Sequence, residues 1–140
     1  MAARVRELIE NQTAEVEAGL TLAGFNRAVE EAGFSFPPHP GDEGAMMGGL
    51  ISTNAGGSRA VKYGGIRNYV RGLEVVLASG EVLRLGGKMV KSSTGYNLMQ
   101  LFIGAEGTLG VITRATIHFL QPLRVTRSLI VPFEDIGPAI

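Results

Sequence analysis

Glycine placement constrains this chain more than any other feature: of twenty glycines in 140 residues, fourteen lie strictly between Gly41 and Gly110. Their spacing has no period of three, which excludes a collagen triple helix. Val, Ile, Leu and Phe are interleaved with them throughout, so the chain is apolar enough to collapse. What remains is a folded domain whose backbone must pass close to something at several places. Three stretches concentrate the glycines: residues 47–57 (MGGLISTNAGG), 62–75 (KYGGIRNYVRGLEV) and 91–113 (KSSTGYNLMQLFIGAEGTLGVIT).

The length suits one domain, and a chain of this size buries roughly two-thirds of its unfolded surface. Thirteen basic residues balance thirteen acidic ones, so no global field draws the protein to nucleic acid or an anionic membrane. The absence of cysteine excludes disulfides, thiolate catalysis and zinc–sulfur sites, and fits a reducing cytoplasm. Residues 1–11 carry scattered charges and no apolar core of signal-peptide length. No apolar run approaches the ~18 residues that a membrane-spanning helix needs.

Periodicity predicts a mixed architecture. Residues 13–17 alternate as a short strand does. Thr21 is placed to cap a helix bearing Leu22, Phe25, Ala28, Val29 and Ala32 on one face, with Gly33 ending it. The segment FSFPPHP (residues 34–40) must be extended. Residues 73–77 and 82–85 flank Ser79-Gly80 as a β-hairpin, and Gly86-Gly87 breaks the chain. Leu98, Leu101 and Phe102 mark a short amphipathic helix that Gly104 ends. Residues 109–120 read as a strand with Val111, Ala115, Ile117 and Phe119 on one face and Arg114, Thr116 and His118 on the other. Residues 126–133 read as a last strand, and Glu134-Asp135 as the start of a helix. Without a regular βαβ rhythm, α+β is the expected class. The break after Pro122 divides the chain into residues 1–123 and 124–140, and both ends look cut from a longer protein.

The paired glycines around Ser52-Thr53-Asn54 suit a pyrophosphate, because glycine lets backbone N–H groups turn toward an anion and the side chains add donors. A tight turn serving packing alone explains the same residues. No G-x-G-x-x-G follows a strand and no P-loop is present, so an anion site here belongs to neither fold. Glu106, between glycines and ahead of a strand, is placed to accept a hydrogen bond from a ribose or amide, or to cap local N–H groups at its own turn.

Six stretches together resemble the flavin domain of the vanillyl-alcohol-oxidase-like (PCMH-type) superfamily: FPPHP (36–40), GG-x3-TNAGG (48–57), KYG (62–64), GLEVVLASGEVL (72–83), KSSTGY (91–96) and LFIGAEGTLGVIT (101–113). The nearest branch holds the glycolate oxidase flavin subunit, D-lactate dehydrogenases and D-2-hydroxyglutarate dehydrogenases. The resemblance implies the second subdomain of an FAD-binding domain, an antiparallel sheet flanked by helices, followed by the opening of a substrate domain. It places Pro38, Gly48, Gly49, Ser52, Thr53, Asn54, Gly56 and Gly57 along the pyrophosphate and flavin side. Glu106, Gly107, Gly110, Val111 and Ile112 fall along the adenosine and ribityl side. Gly56 and Gly57 are expected to matter more to cofactor binding than to folding.

In such enzymes FAD takes a hydride from a 2-hydroxy acid and the reduced flavin passes electrons to another acceptor or a partner subunit. Noncovalent FAD is expected, since no cysteine offers a thioether. The implied location is cytoplasmic, peripheral to a membrane through partner subunits. No catalytic residue is assigned in this chain: the family's earlier pyrophosphate loop and its histidines, metal ligands and substrate arginine are not in it. Lys91 and Tyr96 are expected in a salt bridge and as a packed ring, and His118 as an exposed residue. His39, Met46-Met47 and Leu50 depart from the family's usual Asp, Thr/Ala-Ile and Asn. Three functions stay open: an enzyme fragment, a non-catalytic flavin-domain subunit, and a structural domain without FAD.

Overall fold

The computed structural model describes residues 5–9, 12–87, 95–123, 125, 127 and 129–133, with side chains from residue 12 onward. Its centre is an antiparallel five-stranded sheet in the order β1-β2-β5-β3-β4. The strands are β1 (Val5–Ile9), β2 (Thr13–Glu17), β3 (Val70–Val76), β4 (Val82–Gly86) and β5 (Val111–His118). The described helices are α1 (Leu22–Glu31), α2 (Met47–Ser52), α3 (Ala60–Tyr63) and α4 (Met99–Phe102), with a 3-10 turn at Ile66–Tyr69. The expected α+β class holds.

Several elements form where their residues predict. Thr21 accepts the Gly24 N–H on its hydroxyl, capping α1. At the other end Gly33 (φ +81°) turns left-handed and its neighbour Phe34 donates to Val29 O, closing a Schellman turn. The hairpin of β3 and β4 turns over residues 78–80, with Gly80 at φ +84° and its N–H on Leu77 O. One sheet face carries Ala14, Val16, Leu73, Val75, Ala115 and Ile117 into the core beneath α1 and α2. Phe36 stacks edge-on against Phe25 at 5.0 Å and Tyr69 at 5.4 Å, so the extended proline segment is anchored by an aromatic buried in that core.

The structure corrects four expectations. Val111 does not share the core face: it is 65% exposed and Ile112 is buried instead. The register passes from Glu74↔Arg114 to Val75↔Ile112, so Thr113 is an extra residue in β5. Such a bulge turns every side chain beyond it to the other face. In α4 the buried residues are Met99 and Phe102, while Leu98 and Leu101 stay half-exposed. α2 forms inside a stretch expected to be glycine turns. The described residues among 126–133 lie in no strand, and Leu129 and Ile130 are almost fully exposed. Glu134 and Asp135 lie outside the described residues.

Candidate functional site

The site grows from α2, which the chain enters over the end of β2. Met47 N–H donates to Leu20 O and Gly48 N–H to Ala18 O, both at 2.8 Å. A Cβ on Gly48 would stand 2.6 Å from the Ala18 Cβ, so this glycine admits the helix against the strand. Its N–H is consumed inside the protein and cannot serve an anion. Gly49, one residue on, is exposed with open space where a side chain would stand.

α2 ends in a second Schellman turn. Asn54 N–H donates to Ile51 O and Ala55 N–H to Leu50 O, with Asn54 left-handed at φ +48°. Asparagine tolerates this conformation better than most residues, at roughly 1 kcal/mol above glycine. The Asn54 side chain then accepts the Arg67 N–H at 3.3 Å. The Thr53 hydroxyl, expected as a donor, gives its proton to Gly49 O at 3.0 Å and keeps only acceptor capacity.

The GAEG turn meets α2 at this end. Gly104 N–H donates to Ile51 O at 3.2 Å and Glu106 N–H to Ser52 O at 2.9 Å. The turn thereby satisfies the Ser52 carbonyl, one of those that a helix end leaves without a partner, and adds a second donor to Ile51 O, which already accepts from Asn54. Gly104, Glu106 and Gly107 all have positive φ, and Glu106 (+52°) adopts it without the freedom of glycine. Its carboxylate is exposed. Such local strain persists only where surrounding bonds hold it. The sequence places these two stretches 50 residues apart; the fold makes them neighbours.

The proline segment closes the third side. A Cβ on Gly57 would overlap His39 O and stand 2.6 Å from His39 C. Gly57 therefore lets two backbone segments cross, which corrects the expectation that it serves the cofactor more than the fold. Gly56 has only Ala60 Cβ nearby, at 3.7 Å, and stays open. Gly110 resembles Gly57: its Cβ would stand 2.7 Å from Val75 Cγ1 and 2.9 Å from Val76 O.

The expected site residues thus divide. Pro38, Gly48 and Ile112 are buried, and Gly57 and Gly110 are glycine for packing. Gly49, Ser52, Thr53, Asn54, Gly56, Glu106, Gly107 and Val111 keep exposed or half-exposed surface. Arg67 is a residue the sequence expectation leaves out, although it stands within KYGGIRNYV. Its guanidinium donates to Gln100 Oε1 at 2.6 Å, to Gln100 O at 3.2 Å and to Ile103 O.

Other polar groups lie apart from this junction. A groove of about 360 Å³ runs along the outer sheet face over Gly72 and Gly86, between Glu15, Glu74, Arg84 and Arg114. None of the expected site residues lines it. Glu74 faces Arg84 at 3.2 Å and Arg114 at 3.6 Å, so much of the groove's charge is compensated within it. His118 is half-buried rather than exposed, its Nδ1 3.0 Å from Gln12 O. Burial, and then the Arg71 charge, hold its imidazole below the usual histidine range against that hydrogen bond. Tyr96 is 95% exposed and not a packed ring; Lys91 lies outside the described residues. Among the described residues no group of three or more His, Cys, Asp or Glu could hold a metal. No described helix is long and apolar enough to cross a membrane.

The fold is thus of α+β type, an antiparallel sheet whose glycine turns converge at one helix end. The family described as FAD binding domain matches residues 2–86, more than half of the chain, and the chain belongs to it. It is 50% identical over 131 residues to the D-lactate dehydrogenase of Archaeoglobus fulgidus, an overlap of 94% of this chain and 30% of that protein. It is 44% identical over 131 residues to the glycolate oxidase subunit GlcD of Bacillus subtilis, covering 93% of this chain and 28% of the relative. Identity to the mitochondrial D-2-hydroxyglutarate dehydrogenase of Bos taurus is 51% over 102 residues, 72% of this chain and 19% of that one. The chain therefore spans about 30% or less of the length of these curated relatives. A solved alkyldihydroxyacetonephosphate synthase superposes with a TM-score of 0.73 at 23% identity, over 87% of this chain and 22% of its own, a likeness of fold.

Proposed function

We propose that this chain supplies one side of the FAD site in an oxidoreductase acting on a small 2-hydroxy acid of the D-lactate or glycolate kind. The observation that carries the reading is the junction of the turns, where Glu106 N–H on Ser52 O and Gly104 N–H on Ile51 O set two glycine-bearing segments side by side. The junction suits a dinucleotide: Gly49, Gly56 and Gly107 leave open space on an exposed surface. Ser52, Thr53, Asn54 and Gly56 would follow the pyrophosphate and flavin, and Glu106, Gly107 and Val111 the adenosine and ribityl part.

Bound FAD would accept the hydride leaving the substrate Cα, yielding a 2-oxo acid. The chain's own residues bind and orient. Glu106 offers a carboxylate acceptor to a ribose or amide, and Thr53 an acceptor hydroxyl. The proton of the substrate hydroxyl goes to a base outside this chain, to which we assign no catalytic residue. Attachment is noncovalent. Residues 1–123 form the later part of the FAD-binding domain and 124–140 open the next. The Bacillus subtilis relative is a glycolate oxidase subunit, which supports a partner subunit for this protein too. That such a partner takes the electrons, and holds a cytoplasmic protein at the membrane periphery, belongs to the same proposal.

The test is made on the intact protein. Denaturation is expected to release flavin into the supernatant, and anaerobic D-lactate or glycolate to bleach the flavin absorbance. Released flavin with no bleaching by either acid, nor by D-2-hydroxyglutarate, would leave a binding subunit instead of an oxidase. Protein without flavin, and unable to take it up, would sink the reading altogether.

A further inference from the structure

We propose that Arg67 is a positioning residue that sets the spacing of the two cofactor turns, an inference that rests on the FAD site just described. Its backbone N–H holds the first turn through Asn54 Oδ1 at 3.3 Å. Its guanidinium holds the entry to the second through the carbonyls of Gln100 and Ile103 and the Gln100 side chain. These carbonyls lie at the C-terminal end of α4, where acceptors lack partners and a cation is favoured. A planar guanidinium offers five donors in a fixed fork, so one side chain can satisfy three acceptors and fix their geometry. Lysine offers a point charge and no such fork.

The second turn also packs on this residue. A Cβ on Gly104 would stand 3.3 Å from Arg67 Nη2 and 3.4 Å from the Asn54 Cβ, so Gly104 lies against both members of the first contact. Gly104 (φ +86°) in turn delivers Glu106 and Gly107, whose left-handed backbones shape the exposed surface. The direct bonds between the turns, Gly104 to Ile51 and Glu106 to Ser52, fix one edge of the junction. Arg67, half-buried, adds a second tie between the turns through Asn54, Gln100 and Ile103.

The experiment uses the intact protein, stripped of flavin and titrated with FAD. Arg67→Met and Arg67→Lys are compared with the parent and with Val29→Ala, a core truncation in α1 that lowers stability without touching either turn. All are assayed where each apoprotein is folded by circular dichroism. We expect both Arg67 variants to bind FAD at least ~10-fold more weakly, equivalent to ~1.4 kcal/mol, and Val29→Ala to bind as the parent does. Amide exchange in the apoprotein should speed up at Gly104 and Glu106 in the Arg67 variants alone. FAD affinity within threefold of the parent in either variant would overturn the proposal, for Lys by showing that a point charge suffices. Should both variants fail to fold, Gln100→Ala decides: it removes one acceptor of the fork, and unchanged amide exchange at Gly104 and Glu106 would overturn the claim. A parent that binds no FAD would instead refute the site itself, a separate outcome.

Discussion

Adjacent glycines at 56 and 57 do different work, and a single methyl group separates them. At 57 the methyl would overlap His39 O, so the crossing segments must move apart. Overpacking of this kind destabilises by about 1–3 kcal/mol. At 56 it meets only Ala60 Cβ at 3.7 Å, ordinary contact, and a surface change there stays within about 0.5 kcal/mol. Gly57→Ala is expected to lower the urea midpoint of the apoprotein, with any flavin loss following from the weakened fold. Gly56→Ala should keep the midpoint and lose flavin affinity. Equal midpoints for the two variants would contradict the crossing.

Glu106 allows a complementary test. Its left-handed backbone costs about 1–2 kcal/mol, which glycine avoids at the expense of about 0.5–1 kcal/mol of chain entropy. Glu106→Gly should therefore leave the apoprotein as stable as the parent or up to about 1.5 kcal/mol more stable. If the carboxylate holds the cofactor, the same variant binds FAD more weakly. Unchanged affinity in a folded variant would return Glu106 to a turn-former. Residue roles of this kind were half legible in the sequence. The motif marks the glycines, but whether a missing Cβ makes room for a ligand or for the chain's own backbone is decided by segments far away in sequence.

At the scale of elements, what could be read was what local pattern determines. The caps of α1 and the turn of the β3–β4 hairpin each need a particular residue at a particular place, and Thr21, Gly33 and Gly80 stand there. α2 could not be read, because its two glycines each disfavour a helix by about 1 kcal/mol. Burial of Met47, Leu50 and Ile51, about 1.5–3 kcal/mol each, outweighs that. The face of β5 was misread because alternation assumes no bulge, and Thr113 is one.

That bulge has a second consequence. The Thr113 hydroxyl donates to Glu74 Oε1 at 2.9 Å, while Arg84 and Arg114 approach the other oxygen. The Thr113 hydrogen bond, followed by the two arginines, holds the Glu74 carboxyl below the usual carboxylate range despite some burial. A depressed folded pKa means that the unfolded chain takes up its proton first as pH falls. The stabilisation is thus full above the unfolded carboxylate value of about 4.3 and is lost as pH drops through the folded one. With Arg84 79% exposed, solvent screens the pair, and Glu74→Gln should cost no more than about 1 kcal/mol at neutral pH. The difference in urea midpoint between parent and variant should shrink toward zero as pH falls below about 4. A difference that stays constant from neutral to acid would mean that the charge contributes nothing.

At the scale of the whole molecule, the described sheet is organised around its last strand. β5 lies between β2 and β3, so a segment late in the sequence joins the N-terminal strand pair to the β3–β4 hairpin. Alternating side chains reveal which face a strand buries but not which strands it sits between, and this order was invisible in the sequence. The GAEG turn runs straight into β5, so completing the sheet and assembling the junction of turns are one event. It follows that the family match over residues 2–86 does not mark out a folding unit. Without β5 the sheet falls into two separate strand pairs, and a lone hairpin is marginal in water. Ile112, Ile117 and Phe119 leave the core with it. At about 1.5–3 kcal/mol each, they forfeit roughly 5–9 kcal/mol, comparable to the whole stability of a typical domain at about 5–15 kcal/mol. A fragment of residues 1–86 is expected to show no cooperative urea transition by far-UV circular dichroism, whereas residues 1–123 should show one. Cooperative unfolding of the shorter fragment would demote β5 from the centre of the fold to an accessory of the site, and would separate the two events that its position ties together.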